Sequence, residues 1–202
     1  MEKETKEIKA IIFDYGGVFT RETRLLPMYE HCAKKYGKEI SERLMEKANE
    51  AWNHEQVVKS PVGSYWNILS DHFGVSAEEV LEESGNFYGF EKDVLELAKS
   101  LKKKYKVGMI TNNIMHWFDD NIKNRGLDEV FDDIVTSYDV GIAKPDRRIY
   151  ELALENLGVL ADECVFIDDS ERNIIGAQNV GMRTVLFKNL GQLEDELKEL
   201  GI

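Results

Sequence analysis

Apolar residues fall along this chain in two textures. Ile8 to Phe13, Val107 to Ile110 and Val165 to Ile167 are nearly continuous apolar runs, which suit strands buried on both faces. Between the first and second of these, from about Thr20 to Gly89, the period is helical. Leu25, Met28, Tyr29, Cys32 and Tyr36 form one stripe, Leu44, Met45, Ala48 and Trp52 a second, and Tyr65, Trp66, Leu69 and Phe73 a third. Ser76-Ala77-Glu78-Glu79 reads as a capping box opening one more short helix.

From Glu91 onward helix and strand alternate. Val94, Leu97, Ala98 and Leu101 precede the strand at Val107, and further strands are predicted at Ile134 to Thr136 and Thr184 to Phe187. Helical stretches such as Arg148 to Leu157 and Asn173 to Asn179 lie between them, and Leu190, Leu193, Leu197 and Leu200 read as a terminal helix docked on the core. Such alternation predicts an α/β core with a parallel sheet. Residues 1–19 and 89–202 would form it, with residues 20–88 inserted after the first strand as an all-helical unit. Hinges are expected near Val18 to Thr20 and Gly85 to Phe90.

Composition narrows the partners. A formal net charge of −12 over 202 residues opposes nucleic acid and anionic membranes, both of which need a surplus of Lys and Arg. The one dense basic run, Lys102-Lys103-Lys104-Tyr105-Lys106, closes a predicted helix and there complements its dipole. Cys32 and Cys164 stand far apart in sequence, which supports neither a disulfide framework nor a metal cluster and points to a reducing compartment. The N-terminal residues alternate in charge, and no run approaches the ~18 apolar residues of a membrane span, so a cytoplasmic protein is expected.

The chemistry sits where apolar runs end. Asp14 follows Ile11-Ile12-Phe13 and is followed by Tyr15, Gly16 and Gly17, whose backbone N–H groups can approach an anion in a tight turn. Thr111-Asn112-Asn113 follows the second strand, Lys144-Pro145 lies in the loop Gly141 to Asp146, and Asp168-Asp169 follows Cys164 to Ile167. A carboxylate nucleophile needs a cation beside it and donors for the transferring group. Asp14 would attack phosphorus, Asp168 and Asp169 would join it around Mg²⁺, and the Thr111 hydroxyl, the Asn112 backbone N–H and Lys144 would hold phosphoryl oxygens.

With these motifs in place the chain resembles the haloacid dehalogenase superfamily, in the branch with a helical cap inserted after the first strand. The likeness is most specific in Val165 to Ala177 and in Val140 to Tyr150. It implies a Rossmann-like three-layer core, Asp14 as nucleophile, Thr111 and Lys144 as the phosphate-stabilising pair, Asp168 or Asp169 as metal ligand, and the Gly16 carbonyl in the metal shell. One departure matters: most phosphatases of that family carry an acid/base aspartate two residues after the nucleophile, where this chain has Gly16. The Asp-x-Gly pattern is similar to that of sugar-1-phosphate phosphatase-like and epoxide-hydrolase N-domain-like relatives, which makes a sugar phosphate the expected substrate. A second departure is Asn173, where many relatives carry an acid.

The expected protein is thus a Mg²⁺-dependent phosphatase of a small phosphorylated metabolite, monomeric or a homodimer. A metal-independent 2-haloacid dehalogenase and a weakly active phosphate-binding protein remain as alternatives. Arg21, Arg24, Trp52, His54, Tyr65, Trp66 and His116 are the candidates for substrate selection by the cap.

Overall fold

The structure is a computed structural model describing residues 6–59 and 63–202, with side chains at all of these except 116, 120 and 121. After β1 (Ala10–Phe13) come four helices, α1 (Leu25–Tyr36), α2 (Glu42–Glu55), α3 (Ser64–Phe73) and α4 (Ala77–Tyr88). The alternating half follows: α5 (Lys92–Leu101), β2 (Lys106–Thr111), α6 (Met115–Arg125), α7 (Leu127–Val130), β3 (Asp133–Thr136), α8 (Ser137–Val140) and α9 (Arg147–Leu157). It ends with β4 (Cys164–Asp168), α10 (Glu171–Val180), β5 (Arg183–Leu186) and α11 (Leu190–Glu199).

The strands form one parallel sheet in the order β3-β2-β1-β4-β5. β1 is central, with Phe13 in register with Met109 of β2 and Ile167 of β4. Its unbroken apolar run is explained by alternation across two covered faces. Ile11 and Phe13 face a cluster with Val94, Leu95 and Ala98 of α5, Phe118 of α6 and Leu193 of α11. Ala10 and Ile12 face the opposite cluster, built with Ile149, Tyr150 and Ala153 of α9 and Ala177 of α10. A parallel sheet sandwiched between helix layers is the α/β core that the alternation predicts.

Helices α1 to α4 gather a third apolar cluster, in which Met28, Tyr29, Leu44, Tyr65, Leu69 and Val80 are buried. Ile114 and Trp117, which follow β2, belong to the same cluster, so these helices pack on the segment that carries Thr111. Buried Glu55 at the end of α2 accepts hydrogen bonds from Ser64 Oγ (2.6 Å) and Tyr65 N (3.1 Å). That places a carboxylate at the N-terminus of α3, where unpaired N–H groups favour it. Ser76 opens α4 as expected, its hydroxyl accepting from Glu79 N at 3.1 Å. The two chain crossings into this region are tied together: Arg21 N donates to Tyr88 O, Glu91 N donates to Phe19 O, each at 2.9 Å, and the Arg21 and Glu91 side chains pair at 2.7 Å.

Three local expectations are corrected. The first strand begins at Ala10 rather than Ile8. Gly85, expected in a hinge, lies inside α4, which continues to Tyr88 before Gly89 breaks it at φ +64°. Single-turn helices α7 and α8 were not anticipated, because four residues are too few to display a helical period. Among the described residues both cysteines are free and buried, and no helix is long and apolar enough to cross a membrane.

Helix α10 approaches the Lys144-Pro145 loop through Gly176, where an added Cβ would stand 2.8 Å from Pro145 Cβ and 3.1 Å from its carbonyl oxygen. Gly176→Ala therefore overpacks the contact, and a loss of about 1–3 kcal/mol is expected in urea unfolding, with reduced activity as the loop shifts. A change below about 0.5 kcal/mol would show that the loop yields freely.

Candidate functional site

The end of β1 delivers Asp14 into the middle of the sheet's carboxyl edge. Its backbone N donates to Ile167 O at 2.8 Å, continuing the pairing with β4, and its Oδ1 accepts from Tyr15 N at 2.6 Å. Lys144 Nζ stands 2.7 Å from Asp14 Oδ1 and 2.7 Å from Asp168 Oδ2, with 1% of the lysine side chain and none of the Asp168 side chain exposed. Asp169 is exposed and leans on the turn after β1: at Gly17, φ +70°, a Cβ would overlap its carboxylate. Gly17 is thus required both by its left-handed backbone and by this approach.

Two amides hold the charged centre in place. Asn112 accepts from Lys144 N (2.8 Å) and donates from Nδ2 to Lys144 O (3.0 Å), clamping the lysine main chain from the loop after β2. Asn173 Nδ2 lies 3.0 Å and 3.1 Å from the two oxygens of Asp168, which also accepts from Ser170 N at 2.9 Å. Sequence reading gave Asn112 only a backbone role, and its side-chain clamp was missed. Its partner is 32 residues away, so no local pattern could signal it. Thr111 is buried as the last residue of β2, in register with Thr136. Asn113 accepts from Ile114 N at 3.0 Å and has its own N–H bonded to Ser137 Oγ at 3.1 Å.

Burial first, and the neighbouring Asp168 carboxylate second, push the Asp14 carboxyl well above the usual carboxylate range, against the pull of Lys144. Burial works to lower Lys144, but Asp14 and Asp168 outweigh it and hold the ammonium above its ordinary value. Asp169 is also raised, by desolvation where it leans on Gly17 and by Asp168. Oxygens of Asp14, Asp168 and Asp169 lie within 4.8 Å of one another. Three carboxylates against one ammonium form a hard-oxygen donor set with surplus negative charge, which fits Mg²⁺. Asp168 is occupied by Lys144, Asn173 and Ser170, so Asp14 and Asp169 have the more open oxygens.

A cavity of about 90 Å³ opens beside Gly16 and Asn112, with Leu25, Trp52, Tyr88 and Trp117 in its walls. Of the selection candidates, Trp52 lines it. Arg21 pairs with Glu91 and Arg24 pairs with Glu22, each at 2.7 Å, while His54 is exposed and Tyr65 and Trp66 are buried in the helical cluster. The side chain of His116 lies outside the described residues. Tyr15 also lines the cavity, but its ring is 1% exposed, stacked on Phe19 and edge-on to Phe118.

The parallel α/β core thus carries a buried carboxylate–lysine–carboxylate centre at its strand ends. The sequence model of the haloacid dehalogenase-like hydrolases matches residues 8–181, and the chain belongs to that family. It is 33% identical to pyrophosphatase PpaX of Bacillus cereus (strain AH820) over 131 residues, 64% of this chain and 56% of that one. It is 30% identical to bifunctional epoxide hydrolase 2 of Rattus norvegicus over 140 residues, 65% of this chain and 24% of the relative. In both, the match spans less than two thirds of the relative's own length. A HAD family enzyme of Bacteroides thetaiotaomicron, solved as a magnesium complex, superposes with TM-score 0.75 at 25% identity, covering 91% of this chain and 94% of the other. The Rossmann-like α/β fold expected from sequence is therefore the fold observed.

A carboxyl raised in the folded state favours folding at low pH and opposes it as pH climbs from the ordinary carboxylate range through the folded value. Without metal, Asp14→Asn should therefore gain stability relative to the parent between pH 5 and pH 8. A gap of more than ~2 °C in thermal scans at pH 8, shrinking at pH 5 and reduced by Mg²⁺, is the expected result.

Proposed function

We propose that this protein is a Mg²⁺-dependent phosphomonoesterase acting on a small phosphorylated metabolite, with an aspartyl-phosphate formed on Asp14. The observation that carries this reading is the buried Lys144 bridging Asp14 and Asp168, with a third carboxylate, Asp169, left open beside them. Magnesium, held by Asp14 and Asp169 and by the Gly16 carbonyl that the family resemblance implies, would neutralise the carboxylates and the substrate's phosphoryl oxygens.

In this reading Asp14 is the nucleophile, one carboxylate oxygen attacking phosphorus as the leaving oxygen departs with the bridging electron pair. Lys144 is kept as a cation by its two carboxylates and lowers the cost of bringing an anionic phosphoryl group against Asp14. The Thr111 hydroxyl and the Asn112 backbone N–H serve as phosphoryl donors, and the Asn112 side chain positions Lys144. Residues 20–88 act as a cap that closes the site and selects the substrate. An anomeric sugar phosphate suits a site with Gly16 in place of an acid, because its leaving group needs less help.

The test is phosphate release from sugar phosphates and an activated aryl phosphate, with Mg²⁺ and with chelator. Turnover should require Mg²⁺ and fall by at least ~10³-fold in Asp14→Asn. Halide release from a 2-haloacid that survives chelation would instead establish the metal-independent dehalogenase.

A further inference from the structure

Charge is distributed one-sidedly around the cavity beside Gly16. Lys144 serves the phosphoryl position, where it is already bound to two carboxylates. Beyond that position no Lys or Arg lines the cavity among the described residues, and the one charged group in its wall is Glu22. Glu22 is fixed there by its hydrogen bonds to Thr23 N and Arg24 N, both 3.0 Å, and by a two-point pair with Arg24 at 2.9 Å and 2.7 Å. These contacts, the Arg24 side chain first, hold its carboxyl down at about 2, so it is ionised across the working pH range. The Arg24 side chain is 76% exposed, with its guanidinium held on Glu22. The rings of Trp52, Tyr88 and Trp117 share the rest of the wall with the polar side chains of Thr20, Thr23, Asn112 and Asn113.

Resting on the phosphatase reading, we propose that the leaving group is small, carries no negative charge of its own, and lays a flat CH-rich or aromatic face on the half-buried Trp52. A second anion would find no Lys or Arg in the wall to receive it, because Arg24 is already taken by Glu22, and an uncompensated charge brought into such a site is unfavourable. Diphosphates and phosphorylated carboxylic acids are thereby rejected, while sugar and aryl monoesters are admitted. At about 90 Å³ the cavity falls well below the roughly 300–1,000 Å³ of sites for drug-sized ligands, which limits the group to about one ring.

Phenyl phosphate and 4-carboxyphenyl phosphate test this, since their phenols leave about equally well and differ in charge. With Mg²⁺, kcat/KM should be at least ~10-fold lower for the carboxylated ester, pyrophosphate should be poorer still, and Glu22→Gln should narrow the gap. Equal turnover of the two esters, or good turnover of pyrophosphate, overturns the proposal while leaving the phosphatase standing. The non-hydrolysable pair phenylphosphonate and 4-carboxyphenylphosphonate separates the two claims, read through tryptophan fluorescence in Mg²⁺. Selective binding of the phosphonate that lacks the carboxylate, without release of phosphate from any ester, supports the cavity's preference and sinks the phosphatase. Equal binding of both phosphonates overturns the preference whatever the turnover.

Discussion

The structure turns on one buried cation. Lys144 has 1% of its side chain exposed and lies 2.7 Å from a carboxylate on each side. Removing a lysine from water costs several kcal/mol, which the flanking carboxylates have to offset. The arrangement stands only where geometry is fixed from several directions at once. Neighbouring central strands do the first part: β1 pairs with β4, so the carboxylates at their ends stand side by side. The loop after β2 does the second, through Asn112 on the lysine main chain. Helix α10 does the third, through Asn173 on Asp168.

The amides matter because they are neutral. Three carboxylates with one ammonium already hold excess negative charge, and a fourth acid at position 173 would add to it. Asn173 instead donates to both oxygens of Asp168, so that residue is spent on structure and on the lysine. Asp14 and Asp169 are both raised by desolvation and by Asp168, and Lys144 offsets this only in part. Environment has divided three chemically alike residues into one whose oxygens are filled by protein donors and two whose oxygens are more open.

What could be read in the sequence follows the range of the interactions. The sheet was legible because β1 and β4 are apolar on both faces, and the helical region because its stripes repeat over several turns. Asp14, Lys144 and Asp168 announced themselves as polar residues at the ends of apolar runs or in the loops beyond them. The Asn112 clamp and the packing of Ile114 and Trp117 into the helical cluster depend on partners far along the chain, which no local pattern records. Gly85 misled for the opposite reason: glycine signals a break, but here it stays helical with its α-carbon facing the Trp117 ring, where an added Cβ would make only an ordinary 3.8 Å contact.

Gly16 is more than a missing side chain. A Cβ at this position would stand 3.2 Å from the Thr23 methyl, so a side chain there would need Thr23, in the segment leading into α1, to give by a few tenths of an ångström. The same segment brings Glu22 to the cavity wall, but Arg24 holds its carboxyl down at about 2, leaving no proton to give at neutral pH. A positioned acid is typically worth about 10²–10⁴-fold in rate. On the phosphatase reading proposed above, that contribution is absent at Gly16 and unavailable from Glu22, and the leaving oxygen of an ester would carry its own negative charge. The short stretch Gly16 to Arg24 fixes together the space after Asp14, the charge at the cavity wall and the entry to the helical region.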